Sequence, residues 1–117
     1  MNTEDVLNRF NQAFLTHQPD LLTELIAPGC RIERIEPTAD GLVVEGREAC
    51  LAVWQAQAAN RDARFALEDV VVMGELGLIF WEYRSGPAQA QVSRGLNVMR
   101  VRGGQVVEGR GYRKGKL

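Results

Sequence analysis

Two β-compatible runs flanking Gly103-Gly104 constrain this chain more than any other feature. Residues 94–102 (Arg-Gly-Leu-Asn-Val-Met-Arg-Val-Arg) lead into the glycine pair, and residues 105–113 (Gln-Val-Val-Glu-Gly-Arg-Gly-Tyr-Arg) lead out of it. Glycine takes positive φ without strain, and a two-residue hairpin turn demands that of both central residues. An antiparallel hairpin near the C-terminus follows. On its first arm Asn97 and Met99 share one face, while Leu96 and Val98 share the other. Apolar side chains on both faces imply burial on both, so a homodimer through the outer sheet face is expected.

The rest of the chain supplies helices and further strands. Asn2 or Thr3 can cap a helix whose first turn holds Glu4 and Asp5, the sign favoured at the positive end of the helix dipole. Val6, Leu7, Phe10, Ala13 and Phe14 recur at helical spacing behind that cap. Gln18-Pro19-Asp20 ends this helix and starts a short second one, with Leu21, Leu22, Leu25 and Ile26 on its buried side and Pro28-Gly29 at its end. Residues 30–36 read as a strand in which Arg31, Glu33 and Ile35 alternate with Ile32, Arg34 and Glu36. A turn-rich stretch, 37–41, precedes a short strand at 42–44. The third helix covers 47–59 with Leu51, Trp54 and Ala58 on one face. Extended runs at 64–73, 78–84 and 89–102 precede the last strand. In the first of these, Phe65 and Leu67 are out of phase with Val70 and Val72, which predicts a bulge near Glu68-Asp69. Helices followed by a run of strands indicate an α+β fold, and 117 residues suit a single domain over 1–117.

Composition narrows the function. With 14 basic against 15 acidic residues the formal charge is −1, so nucleic acid is not an expected partner. The basic cluster Arg110, Arg113, Lys114 and Lys116 reads as a solvated strand end. The first ten residues lack the pattern of a targeting segment, and no apolar run reaches the ~20 residues that span a bilayer, so a cytoplasmic protein off the membrane is expected. Cys30 and Cys50 read as small buried hydrophobes, and His17, beside a helix-ending turn, as a surface residue. One histidine and two dispersed cysteines make no metal-ligand pattern, and no phosphate loop, dinucleotide fingerprint or nucleophile elbow is present, so neither metal nor cofactor is expected.

Arg9-Phe10-Asn11-Gln12-Ala13-Phe14, the Gln18-Pro19-Asp20 turn, Glu45-Gly46-Arg47-Glu48-Ala49 and the terminal hairpin together resemble the nuclear-transport-factor-2-like superfamily, in its SnoaL-like and ketosteroid-isomerase-like branch. The resemblance implies a cone-shaped, strongly curved antiparallel sheet, with three helices from the N-terminal half closing a cavity. Ketosteroid isomerases use an Asp base and an oxyanion hole of Tyr and protonated Asp. By position the Tyr falls on Phe10, which has no hydroxyl. The second Asp falls on Asn97, whose amide can still donate a hydrogen bond. The base position falls on Arg34 or, with a two-residue shift, on Glu36, which precedes Pro37.

The resemblance thus implies a catalytic set of Glu36 as base, Asn97 as oxyanion donor and Arg34 as orienting cation. The implied wall comprises Phe10, Phe14, Trp54, Trp81, Tyr83 and Met99, with Gly109 and Gly111 opening space inside the cone. The leading function is binding of a small hydrophobic molecule, with cofactor-independent acid/base catalysis of isomerase or cyclase type. The alternative is a non-catalytic dimerisation or protein-interaction domain. The two readings differ in where the polar groups point: Arg34, Glu36 and Asn97 converging on an open pocket favours ligand chemistry, and a cone filled by Phe10, Phe14, Trp54 and Trp81 favours the interaction domain. Epoxide hydration would need an Asp-Arg-Asp set, for which Asp62 and Asp69 are the nearest Asp residues.

Overall fold

The computed structural model describes residues 1–35 and 41–114. Helix α1 (Thr3–Leu15) begins with a reciprocal cap. The Asp5 backbone N–H donates to Asn2 Oδ1 at 2.9 Å, and the Asn2 N–H donates to Asp5 Oδ2 at 3.3 Å. Its inner face buries Val6, Leu7, Phe10, Asn11 and Ala13. Helix α2 (Arg47–Ala59) follows Gly46, whose φ of 95° suits glycine.

The expected second helix is only a 3₁₀ turn, Pro19–Leu22, so the described residues carry two α-helices and not three. Strand β1 (Ile26–Glu33) starts where that helix was expected to continue. Leu22, Leu25 and Ile26 are fully buried, but their spacing serves a tight turn entering a strand as well as a helix. Pro28-Gly29 ends nothing. It lies at a register shift between Ile26 and Arg31, where a missing N–H is tolerated.

Strands β2 (Val43–Glu45), β3 (Arg64–Met73), β4 (Leu76–Ser85), β5 (Gln91–Arg102) and β6 (Gln105–Lys114) complete one six-stranded sheet in the order β2-β1-β6-β5-β4-β3. The β3–β4 register shifts between Leu67 and Asp69, the predicted bulge. Gly103 and Gly104 stand at φ 60° and 76° in the β5–β6 turn, as a hairpin of this length requires. The sheet is mixed where a purely antiparallel one was expected, because β1 pairs with β6 in parallel. A tight turn imposes antiparallel pairing only on strands adjacent in the chain, and β1 reaches β6 through everything between them.

Helix α1 packs against β3, β4 and β5, and α2 against β1 and β2. The core beneath them gathers Leu7, Ile79, Met99, Val101 and Val106 with side chains of both helices. On the opposite face of the sheet Leu78, Phe80, Leu96 and Val98 stay half-buried in the single chain. No helix of the described residues is long and apolar enough to cross a membrane.

Both cysteines are fully buried, and the Cys50 thiol donates to the Cys30 carbonyl at 3.3 Å. Burial first, and the neighbouring Cys50 second, push the Cys30 thiol up to about 12 from an ordinary value of 9.0. Below pH 9 the thiol is protonated in both the folded and the unfolded chain. Between the two values the unfolded chain releases a proton that the folded chain keeps, so stability falls as pH rises, by at most about 1.4 kcal/mol per pH unit. Urea unfolding at pH 8 and pH 10.5 should show this loss. Cys30→Val should show a smaller one, and identical losses would remove Cys30 as its source.

Candidate functional site

Six of the eight aromatic residues converge between the helices and the sheet. Helix periodicity turns Phe10 and Phe14 to one side of α1, their ring centroids 5.0 Å apart. Trp54 of α2 meets Phe10 edge-on at 5.0 Å. Strand alternation places Trp81 and Tyr83 on the same face of β4, and Phe65 of β3 touches both, at 5.6 and 4.8 Å. Phe14 links the two groups by meeting Phe65 at 5.7 Å. These side chains surround a half-enclosed cavity of about 310 Å³, at the lower end of the range for small-molecule sites. Ile32, Ile79 and Gly109 form its buried wall, and exposed Arg34, Gln57, Asn60 and Arg113 stand at its rim.

Four polar side chains of the lining are buried or half-buried: Asn11, Glu33, Asn97 and Arg110. Asn97 is half-buried on β5, and its Oδ1 accepts from the Trp81 indole N–H at 3.3 Å. That bond orients the amide and leaves its NH₂ as the group available to a ligand. Asn11 is 7% exposed, the buried polar residue of the described core, and its Nδ2 has no hydrogen-bond partner. Arg110 Nε is also buried without a partner.

Of the residues assigned to chemistry, Arg34 and Asn97 both line the cavity, the first exposed and the second half-buried. Glu36 lies outside the described residues. The expected alternation along residues 30–36 does not hold past Glu33, where β1 ends. Ile35, expected on the face away from Ile32, lines the same cavity, its Cγ1 2.9 Å from where a Cβ on Gly111 would stand. A two-residue period applies only while the backbone is extended, and the chain bends at Ile35.

Phe10, Phe14, Trp54, Trp81 and Tyr83 are all cavity residues, but Met99 is not. It is fully buried, with its sulfur 3.2 Å from a Cβ position on Gly109. Nor does Gly109 simply open space, because a Cβ there would lie 2.7 Å from the Trp54 ring, so glycine lets that indole seat against β6. Asp62 and Asp69 are exposed and outside the cavity lining. His17, expected at the surface, is half-buried, with Nδ1 3.0 Å from the Ala58 carbonyl near the end of α2. Among the described residues no group of three or more His, Cys, Asp or Glu could hold a metal ion.

Sequence reasoning missed Phe65 and Asn11. Phe65 stands before the β3 bulge, so its face could not be carried across from Val70 and Val72. Asn11 had a visible signal: it follows Leu7 by four residues and precedes Phe14 by three, a polar side chain in an apolar stripe.

Residues 7–109 match the family model of the SnoaL-like domain. The chain belongs to the SnoaL-like family. Its fold is similar to that of an NTF2-like protein of unknown function from Mesorhizobium loti, at 42% identity and TM-score 0.90, covering 97% of this chain and 91% of that one. A loop-truncation variant of IdmH is similar at 27% identity and TM-score 0.74, over 96% and 92% of the two chains. A candidate SnoaL-like polyketide cyclase from Jannaschia sp. CCS1 shares the fold at 17% identity and TM-score 0.71, over 96% and 87%. No curated protein matches the chain. For this SnoaL-like chain, family and cavity largely coincide: the matched segment carries most of α1, all of α2, the aromatic wall and Asn97.

Proposed function

We propose that this chain binds a small, mainly apolar molecule among its aromatic residues and carries out acid/base chemistry of isomerase or cyclase type on it. The observation that carries the reading is the open volume of about 310 Å³ bordered by six aromatic side chains. Had those side chains filled the space, a pure interaction domain would be the better reading. Family membership supports the same class, since one of the fold neighbours is a candidate polyketide cyclase.

The proposed chemistry is proton transfer beside a carbonyl. A carboxylate removes a proton from the carbon next to the carbonyl, and the electron pair moves onto the carbonyl oxygen. The Asn97 NH₂ donates to that developing oxyanion, and the carboxylate returns the proton. Glu36 is the carboxylate we assign as base, and Arg34 at the rim is the cation assigned to orient the ligand.

2-Tetralone, an apolar bicyclic ketone, tests binding and chemistry together. Tryptophan emission should change saturably on titration, because Trp54 and Trp81 both line the cavity. In D₂O the protein should speed exchange of the protons beside the carbonyl, read by NMR. Glu36→Gln should abolish the acceleration. Asn97→Leu should lower it about 10²–10³-fold, the usual effect of removing one oxyanion donor. Exchange that persists in Glu36→Gln would refute the assigned base, and no saturable titration would refute the cavity reading.

A further inference from the structure

The cavity has two unlike sides. On one, Leu15 at the end of α1 and Leu67 on β3 line it and are 39% and 43% exposed. On the other, exposed Arg34 and Arg113 line it. The sheet order separates them, since β1 and β6 are neighbours and β3 is the far edge strand. Glu33, the last residue of β1, pairs with Arg110 of the parallel β6, and both Arg34 and Arg113 lie past that pair in the same strand direction. Among the described residues Arg34 has no ion-pair partner. Arg113 makes an interaction within the protein, but its five N–H donors outnumber what one contact uses. The carboxylate of the described lining, Glu33, is itself 4.0 Å from Arg31. That lining thus holds three arginines against one glutamate, in a chain whose formal charge is −1.

We infer that the bound molecule is an amphipathic keto acid, whose carboxylate meets Arg34 and Arg113 while its hydrocarbon end lies towards Leu15 and Leu67. This rests on the cavity and carbonyl chemistry proposed above and narrows the substrate class. A guanidinium matches a carboxylate in shape and charge, and hydrogen bonds to an ionised acceptor are about twice as strong as neutral ones. A carboxylate at the rim keeps contact with water, so it avoids the cost of carrying a charge into the apolar interior. Arg110 also lines the wall, but its Nε is buried, so the two exposed arginines are the ones an entering anion meets. Between the two ends the carbonyl faces Asn97, whose strand β5 stands between β6 and the β4–β3 side of the sheet.

The matched probes are 2-tetralone, its 6-carboxy and 7-carboxy derivatives, and the methyl esters of those two acids. Acid and ester have nearly the same shape and differ in charge, and tryptophan emission follows the binding of each. At about 50 mM NaCl wild-type protein should bind one acid about tenfold more tightly than its own ester, the value of one hydrogen bond to a charged group. In the double variant Arg34→Gln, Arg113→Gln that ratio should fall to about one. Both side chains are exposed, so the core that folds the variant is untouched. Salt gives a check that needs no variant. Raising NaCl to about 0.5 M should cut the wild-type ratio to about threefold, because exposed charges are then screened over a few ångströms. A wild-type ratio near one for both acids, a preference that survives in the double variant, or a ratio indifferent to salt would overturn the keto-acid assignment. Saturable binding of 2-tetralone would in each of those cases leave the cavity reading intact. Failure of all five probes to bind would sink both.

Discussion

Replacing Phe10 by alanine should lower the unfolding free energy by about 3–5 kcal/mol, the range for deleting a well-packed buried aromatic side chain. Phe10 is 2% exposed and is the ring that joins the two helices. It meets Phe14 along α1 and Trp54 of α2, each at a centroid distance of 5.0 Å. The void left behind would open into the cavity, so the flanking rings would have contacts on one side only and could not close the gap cheaply. Domains of this size are stable by about 5–15 kcal/mol, so the variant should stand close to unfolding at physiological temperature. Urea unfolding, with the slope checked for constancy, measures the loss. A loss below about 1.5 kcal/mol would mean that Phe14 and Trp54 collapse into the space, a milder outcome than a preserved cavity permits.

Gly95→Ala should be the next most damaging change, at about 2–3 kcal/mol. Gly95 sits opposite both Trp81 and Arg113 in the sheet. A Cβ added there would run into the carbonyl oxygen of Tyr112 and the far edge of the Trp81 indole. The carbonyl belongs to a paired strand and cannot retreat, so the indole has to move. Moving it breaks the Trp81–Asn97 hydrogen bond and misorients the amide we assign to the oxyanion. The variant should therefore lose 2-tetralone exchange activity beyond what its lower stability explains, and its tryptophan emission should shift. Gly29→Ala is the control, since nothing lies within 4 Å of an added Cβ there, and it should stay within about 0.5 kcal/mol of wild type. Equal effects at Gly95 and Gly29 would refute the steric account.

How much of this could be read beforehand depended on the range of the interaction involved. The Asn2 cap, the α2 segment, the β3 bulge and the glycine turn of the last hairpin follow from groups within a few residues of one another, and each is where local reasoning puts it. The stretch 19–35 departs from expectation for the same reason. Its apolar spacing suits a helix or a strand, and Pro28-Gly29 punctuates either one. Only the partner on the far side, β6, selects the strand. The candidate site divides in the same way. The aromatic residues of α1, α2 and β4 announce their faces through regular periods, whereas Phe65 and Ile35 stand where a period is broken.

The sequence by itself determined the α+β class, most element boundaries, the family, and the apolar stripes that have to meet in a core, because these rest on backbone propensity and side-chain period. Tertiary structure alone decided that β1 runs parallel to β6, that Ile35 turns inward, that Met99 lies behind the wall, and that the aromatic rings enclose space instead of filling it. It alone also decided that the Asn11 Nδ2 is buried without a partner. Each of these depends on which surfaces from distant parts of the chain come together, and on the volume left between them, which no local pattern encodes.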